Sequence, residues 1–158
     1  DAIRRVLEFK EKLADVCTAL DLPKFKQSEI DFLAEYCRVM QPVATTLDVL
    51  QGENDCFYGI VLPKLVQLRN SLTQIMNGTL VSCEPLAVAL LNGVNRRYGS
   101  QLELQMPAAK FATIAAASHP NYKLCWIPPD QRESVRLMFT QCIQYVFEHT
   151  NSQHQVSS

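Results

Sequence analysis

The sequence predicts an all-α fold, a multi-helix bundle of about six helices. In most of the chain, apolar residues recur every three or four positions, the period of a helix with one buried face. Proline and glycine separate these stretches, whereas the alternation typical of strands is scarce. The two longest stretches, residues 30–50 and 57–75, are joined by a short polar connection. We expect them to run antiparallel as the core of the bundle.

The N-terminal half is predicted to contain three helices. Residues 2–20 form an amphipathic pattern that Pro23 ends. The second helix starts near Ser28, which forms a capping box with Asp31, and Pro42 should kink or break it near residues 38–41. Gly52 suits the position after the helix end, and the polar turn at residues 53–55 supplies the next N-cap.

The second and third helices each carry a narrow apolar seam. The second-helix seam contains Ile30, Leu33, Cys37, Met40, Ala44 and Leu47, and the third-helix seam contains Tyr58, Val61, Leu65, Leu68, Leu72 and Ile75. Pro63 falls in the second turn of the third helix, where its missing N–H costs little. Two seams of similar length can bury each other, so internal packing is favoured over an oligomer interface.

In the C-terminal half, residues 80–83 suit either a short strand or an extended lead-in to a helix that Pro85 opens and Gly99 closes. Residues 100–107 look extended. An Ala-rich helix over 108–118 is expected to pack through Phe111, Ile114 and Ala115. The last helix begins with an Asp130–Glu133 capping box and ends near His149. Residues 150–158 are expected to form a flexible polar tail, which leaves a single helical domain over residues 1–149.

Composition restricts the possible functions. The net charge of -1 argues against a dedicated DNA-binding module, and no apolar run reaches the roughly 20 residues of a membrane-spanning helix. The six cysteines are scattered without a C-x-x-C pair, which favours free thiols in a reducing cytoplasmic or nuclear setting. The chain starts without methionine and ends in a polar stretch, and we interpret it as a piece of a longer protein.

No arrangement of residues predicts catalysis, a cofactor or a metal. The chain lacks G-x-S-x-G, P-loop and G-x-G-x-x-G motifs, and its carboxylates are scattered over polar helix faces. Cys142, His149 and His154 match no known zinc spacing. His149 is more simply a hydrogen-bonding group near a helix end.

One weak nucleic-acid signal is present. Arg96, Arg97 and Tyr98 combine two guanidiniums with an aromatic ring near a predicted helix end. Arginine also stabilises a helix C-terminus by interacting with its dipole, and this structural interpretation is favoured.

The order of several short motifs resembles the helical region of hAT-superfamily transposases, and of the vertebrate proteins derived from them, many of which carry zinc fingers. The matching residues, in chain order, are Glu35-Tyr36-Cys37, Pro42, residues 47–53, Gly59, Leu62-Pro63, residues 65–68, Pro85-Leu86, Ala89-Leu90-Leu91, Arg96-Arg97-Tyr98, Ala115-Ala116, His119-Pro120-Asn121-Tyr122-Lys123 and Trp126. The resemblance covers about residues 29–135. His119 and Tyr122 stand where many family members have Asp and Phe.

The resemblance implies a nuclear, transposase-derived chromatin or transcription-associated protein. In that family a ribonuclease-H-like core with three catalytic acids is interrupted by an all-α insertion, which this chain is similar to. The acids would lie outside the chain, so we expect no catalytic residue here and no enzyme activity. The expected function is protein binding or self-association; the alternative is DNA contact within a transposase-like protein. The signature residues Pro42, Pro63, His119, Pro120, Tyr122, Lys123 and Trp126 are expected to act in packing.

Overall fold

A computed structural model of the chain describes the backbone of residues 2–52 and 57–156 and the side chains as far as His149. This part contains seven α-helices, one short 3-10 turn and no strand, so the all-α prediction is confirmed. The helices are α1 (Ala2–Glu8), α2 (Lys10–Ala19), α3 (Gln27–Leu50), α4 (Tyr58–Met76), α5 (Glu84–Leu102), α6 (Lys110–Ser118) and α7 (Arg132–Val156), and the 3-10 turn is Pro129–Gln131. The polar turn predicted at residues 53–55 lies outside the described residues.

The helices belong to two compact units. The first takes in the described part of residues 1–53 together with 67–99, and the second takes in the described part of 54–66 and 100–158. Residues of α4 therefore contribute to both units. The expectation of a single domain over residues 1–149 stays a prediction.

The predicted helix over residues 2–20 is wrong, because the chain turns at Phe9 between α1 and α2. The Phe9 carbonyl accepts a hydrogen bond from the Lys12 N–H three residues on, at 2.9 Å. At its end α2 closes in a Schellman motif, with the Leu22 N–H on the Cys17 carbonyl at 2.8 Å. Asp21, with a φ of 53°, takes the left-handed position, so the helix ends before Pro23 acts.

The predicted capping box of Ser28 and Asp31 is also wrong. The helix α3 begins at Gln27, and the Glu29 carboxylate accepts a hydrogen bond from the Lys26 N–H at 2.7 Å. Asp31 instead accepts a bond from the Gln27 side-chain amide at 2.8 Å. α3 thus begins one residue before Ser28, the residue that was predicted to cap it.

Pro42 does not break α3, which is continuous to Leu50, so the expected break is wrong and the kink stays a prediction. The missing Pro42 N–H removes one bond of the helix ladder. Gln51 is the C-cap, which places Gly52 at the predicted position after it. No described glycine has a positive φ, so Gly52 does not supply a left-handed turn.

α4 buries half of its predicted seam. Leu65, Leu68 and Leu72 are buried, and Pro63 is accommodated within the helix. Tyr58, however, is exposed, and the buried position near the helix start is taken by Leu62. The apolar side of α4 is therefore rotated at its N-terminal end relative to the predicted seam.

The first unit has a small core in which α3, α4 and α5 meet. Val39, Cys83 and Ala87 are buried, and partly buried apolar residues from α4 and its C-terminal connection surround them. Among these, Ile75 and Met76 bring the end of α4 to the middle of α3. A meeting of this kind is expected of helices that run in opposite directions after a short connection.

The segment before α5 is not a strand, and its backbone bends at Val81 and Ser82. The Glu35 carboxylate of α3 accepts hydrogen bonds from the N–H groups of Val81 (2.7 Å), Ser82 (3.1 Å) and Cys83 (3.4 Å). Arg38 adds a bond to the Thr79 carbonyl at 2.8 Å. A side chain of one helix thus satisfies the free N–H groups ahead of another helix, where a negative charge is favoured.

These contacts change the ionisation of the two side chains involved. Partial burial of the Glu35 carboxyl acts to raise its pKa, but the three backbone hydrogen bonds and the Arg38 guanidinium together lower it below its ordinary value. Burial raises the pKa of the Cys83 thiol, and the neighbouring Glu35 carboxylate raises it further. Glu35 is therefore stabilised as the anion and Cys83 as the neutral thiol.

The predicted end of the fourth helix at Gly99 and the predicted extended stretch over 100–107 are wrong. α5 continues to Leu102, which is buried, and burial of that side chain favours the additional turn. A second Schellman motif then ends the helix, with the Gln105 N–H on the Ser100 carbonyl at 2.8 Å. The left-handed residue is Leu104, at a φ of 54°.

Candidate protein-docking surface

α6 in the second unit presents its small residues inward. Ala112, Thr113 and Ala116 are buried, whereas Phe111 is 75% exposed. The prediction that the helix packs through Phe111, Ile114 and Ala115 is therefore wrong for Phe111, whereas Ile114 and Ala115 are partly buried. The inward side is built from small side chains, which allow another helix to approach closely.

The N-terminal end of α4 makes this close approach. A Cβ atom built on Gly59 would lie 3.0 Å from the Ala115 carbonyl carbon, still closer to the carbonyl oxygen, and 3.3 Å from the Cβ of His119. No side chain larger than hydrogen fits there without a shift. Gly59 thus lets the N-terminal end of α4 approach the backbone of α6 at Ala115, while Phe111, one turn earlier, remains exposed.

The turn after α6 holds the aromatic residues of the predicted signature. His119 is the C-cap, and its ring lies 5.0 Å from the Tyr122 ring and 6.5 Å from the Phe57 ring. The Trp126 indole N–H donates to the carbonyl of Lys123 at 3.0 Å. Trp126 is half-buried, so Trp126→Ala should cost less than the 3–5 kcal/mol of a fully buried tryptophan.

α7 follows the 3-10 turn, so the predicted capping box of Asp130 and Glu133 is wrong. Asp130 lies within the 3-10 turn, and Glu133 instead forms an exposed ion pair with Arg136 at 3.3 Å. The backbone of α7 stays helical to Val156, through most of the stretch predicted as a polar tail. The flexibility of that stretch stays a prediction.

Most of α7 is open to solvent. Among its described side chains only Val135 is buried. Ile143 is 53% exposed, Val146 61% and Phe147 69%. Tyr145 is exposed as well.

The open side chains form a continuous apolar stripe with part of α6. A groove of about 580 Å³ runs along α7 and is lined by Ile114, Ser118, Phe139, Cys142, Ile143, Val146 and Phe147. Phe111 lies one turn before Ile114 on the same side of α6, because residues three and four apart share a helix face. We call the set Phe111, Ile114, Phe139, Ile143, Val146 and Phe147 the α6–α7 face.

The α6–α7 face has the chemistry of a binding surface. Between Arg136 and Glu148 no residue of α7 is charged. Depletion of charge with enrichment of aromatic residues is the compositional signature of an interface centre. A contiguous exposed apolar patch rimmed by polar residues marks a site of interaction with another molecule.

The predicted nucleic-acid residues lie elsewhere, in the first unit. Arg96, Arg97 and Tyr98 are all exposed on α5, several residues before its end at Leu102. Successive helical residues point about 100° apart, so the two guanidiniums diverge. Because the helix is longer than predicted, these arginines lie farther from its C-terminus, and a stabilising interaction with the helix dipole explains them less well. Their side chains are exposed and are accessible to DNA.

The histidine near the end of the predicted last helix has a local partner. His149 Nδ1 lies 2.8 Å from the Tyr145 carbonyl, and the two rings are 3.9 Å apart. Among the described side chains, no group of three His, Cys, Asp or Glu residues is placed to hold a metal ion. His154 lies beyond the described side chains. Within the same part of the chain, no helix is both long and apolar enough to cross a membrane.

No family model, no curated protein and no solved structure matches the chain. The α6–α7 face was not predicted from the sequence: its two residues on α6, Phe111 and Ile114, were expected to pack inward. Its one sequence signal was the run of uncharged residues from 137 to 147, which exceeds what one buried stripe requires.

Proposed function

We propose that this chain is a non-catalytic helical domain that binds protein through the α6–α7 face. The observation that carries the proposal is the exposure of Ile143, Val146 and Phe147 along an uncharged stretch of helix. Burial of such a stripe is favourable by roughly 1.5–3 kcal/mol for each large apolar side chain that is fully covered, and this stabilisation is absent while the stripe is exposed to water. A protein partner that covers the stripe recovers that free energy.

The experiment is site-specific photo-cross-linking of the full chain in cells. A photoreactive residue replaces Phe147 on the α6–α7 face or, as the matched control, Leu137. Leu137 is also exposed and apolar but lies about 120° around α7 from Ile143, the centre of the stripe. We expect discrete protein adducts from position 147 and far fewer from position 137. Equal adducts from both positions, or none from position 147, would refute the docking function.

The origin of the domain is a proposal as well. The order of motifs over residues 29–135 supports derivation from a hAT-superfamily transposase and a nuclear setting, with a chromatin or transcription-associated role. The packing of Gly59 against Ala115 and of His119 against Tyr122 gives two of the motifs a physical use. Cytoplasmic retention of the parent protein would count against the nuclear role.

DNA contact is the second candidate function, favoured by the exposure of Arg96, Arg97 and Tyr98. Its test is the fluorescence anisotropy of a labelled DNA duplex at low and moderate salt. Contact through these residues predicts steeply salt-dependent binding, with the log–log slope shallower by roughly 2 in a variant with Arg96→Ala and Arg97→Ala. The net charge of -1 leads us to expect no such binding.

A further inference from the structure

We propose that the α6–α7 face binds a second copy of this chain, with the two α7 helices antiparallel around a two-fold axis at Ile143. The inference rests on the proposed docking function and names the partner that the face accepts. The middle of α7 is apolar, uncharged and exposed to solvent, and each of these properties favours self-association through this helix.

The stripe on α7 is symmetric in sequence. Phe139, Ile143 and Phe147 are spaced four apart, so the two phenylalanines lie about 40° to either side of Ile143 around the helix. A two-fold axis at Ile143 pairs Phe139 of one copy with Phe147 of the second copy, and Ile143 with itself. A two-fold dimer requires a patch that is complementary to itself in this way.

The geometry of helix packing allows this arrangement. Residues four apart form a ridge on the helix surface, and two such ridges interdigitate at an interaxial angle of about −50°. Contact at such a crossing is concentrated near the crossing point, here Ile143. Because residues 137–147 carry no charge, bringing the two stripes together places no unpaired charge in the contact.

The available area is sufficient for a weak, specific dimer. Phe111 and Phe147 are 75% and 69% exposed, and a whole aromatic residue buries about 150–250 Å². Together with Ile143 and Val146, each copy can bury roughly 300–450 Å² of apolar surface. Two copies and a polar rim that includes Thr140 and Gln144 reach about 1,000 Å², the lower range for a specific interface.

The first measurement is the mass of the full chain in solution, by light scattering or sedimentation over a concentration series. The chain has a mass of 17.9 kDa. We expect the weight-average mass to rise toward twice this value as the concentration increases from about 1 to 200 µM, because an interface of this size is weak. A mass that stays at that of one copy throughout would overturn the proposal.

Two matched variants test whether the stripe is responsible. Ile143→Asp places a carboxylate on the axis, whereas Leu137→Asp places one about 120° away around the same helix. Both side chains are more than half exposed, so both variants should retain the circular dichroism spectrum of the parent chain. We expect Ile143→Asp to abolish the concentration dependence and Leu137→Asp to preserve it. Equal behaviour of the two folded variants would overturn the proposal; Val146→Glu replaces Ile143→Asp if that variant does not fold.

The antiparallel register is tested by a charge pair. The axis at Ile143 places Phe139 of one copy opposite Phe147 of the second copy, since both are four residues from the axis on the same ridge. Phe139→Lys or Phe147→Glu alone should weaken the dimer, whereas the double variant should restore association by pairing opposite charges twice. A parallel arrangement would instead face like charges, so a double variant weaker than both single variants would overturn the antiparallel dimer.

The outcomes separate self-association from the docking function. Cross-links from position 147 to a different protein, with a chain that remains monomeric, would overturn self-association and leave the proposed function intact. No cross-links and no dimer would refute both. A dimer that Ile143→Asp disrupts, with cross-links from position 147 at twice the chain mass, supports both.

Discussion

α4 and α7 carry the same kind of apolar pattern, yet only α4 is covered within this chain. Leu62 and Leu72 of α4 are 1% and 0% exposed, whereas Ile143 and Phe147 of α7 are 53% and 69% exposed. Both helices have apolar residues at spacings of three and four. The apolar pattern therefore predicts that one face of a helix is to be buried. Whether the same chain or another molecule buries that face depends on the neighbouring helices.

The largest effect is expected from the covered helix. Leu72→Ala should reduce the free energy of unfolding by about 2–5 kcal/mol, because it removes a fully buried side chain and leaves a cavity. Ile143→Ala, its matched control on α7, should change the free energy of unfolding of the monomer by less than about 0.5 kcal/mol. Urea unfolding at low protein concentration measures both. A loss of similar size in the two variants would show that the face on α7 is covered within the chain.

A second pair of variants compares a glycine at the close contact of α4 with α6 and a glycine that has open space around it. Gly59→Ala should reduce the free energy of unfolding by about 1–3 kcal/mol, since the added methyl group meets the Ala115 carbonyl. Gly93→Ala in α5 should instead raise it by about 0.5–1 kcal/mol, because nothing lies within 4 Å of the added methyl and alanine favours the helix. Thermal or urea unfolding separates the two signs. A stable Gly59→Ala variant would contradict the close approach of α4 and α6.

The same contrast between covered and open faces exists within α6. Thr113 is fully buried, and its hydroxyl has no hydrogen-bond partner among the described residues. Thr113→Val keeps the shape and removes the unpaired polar group, so it should raise the free energy of unfolding by about 1–2 kcal/mol. Phe111→Ser on the open side should leave the stability of the monomer nearly unchanged. Destabilisation by Thr113→Val in urea unfolding would show that the hydroxyl has a partner.

The smallest effect is expected from the polar contact that precedes α5. Glu35→Gln should lower the stability at neutral pH, because the carboxylate accepts three backbone hydrogen bonds as an anion. The pKa of Glu35 is lowered in the folded state, so its contribution is present above the unfolded-state pKa and is lost as the pH falls through the folded-state pKa. The difference between the parent chain and the variant should therefore shrink in acid.

Urea unfolding at neutral and acidic pH, with Asp15→Asn as a control for loss of an exposed carboxylate, measures the effect of Glu35. Asp15 is exposed on α2. A constant difference between Glu35→Gln and the parent chain at all pH values would show that the Glu35 charge is unimportant.

Helix ends were the least predictable feature of the chain. Two helices, α2 and α5, close in Schellman motifs whose left-handed residues are Asp21 and Leu104. Glycine is the residue that signals such an end in a sequence, and a left-handed leucine carries a conformational cost that its surroundings must offset. Gly99 therefore marked the wrong residue, whereas α2, which precedes Pro23, ends within one residue of the predicted position.

The sequence by itself determined the helical fold class and the approximate positions of most helices, because a period of three to four apolar residues is a local property. It also determined that α7 has an uncharged middle. Which faces are buried was decided only in the tertiary structure, where α6 buries Ala112, Thr113 and Ala116 and leaves Phe111 exposed. The Glu35 contact was likewise beyond the sequence, since it joins residues 46–48 positions apart. Such contacts depend on how the helices approach one another, which the spacing of apolar residues along the chain does not predict.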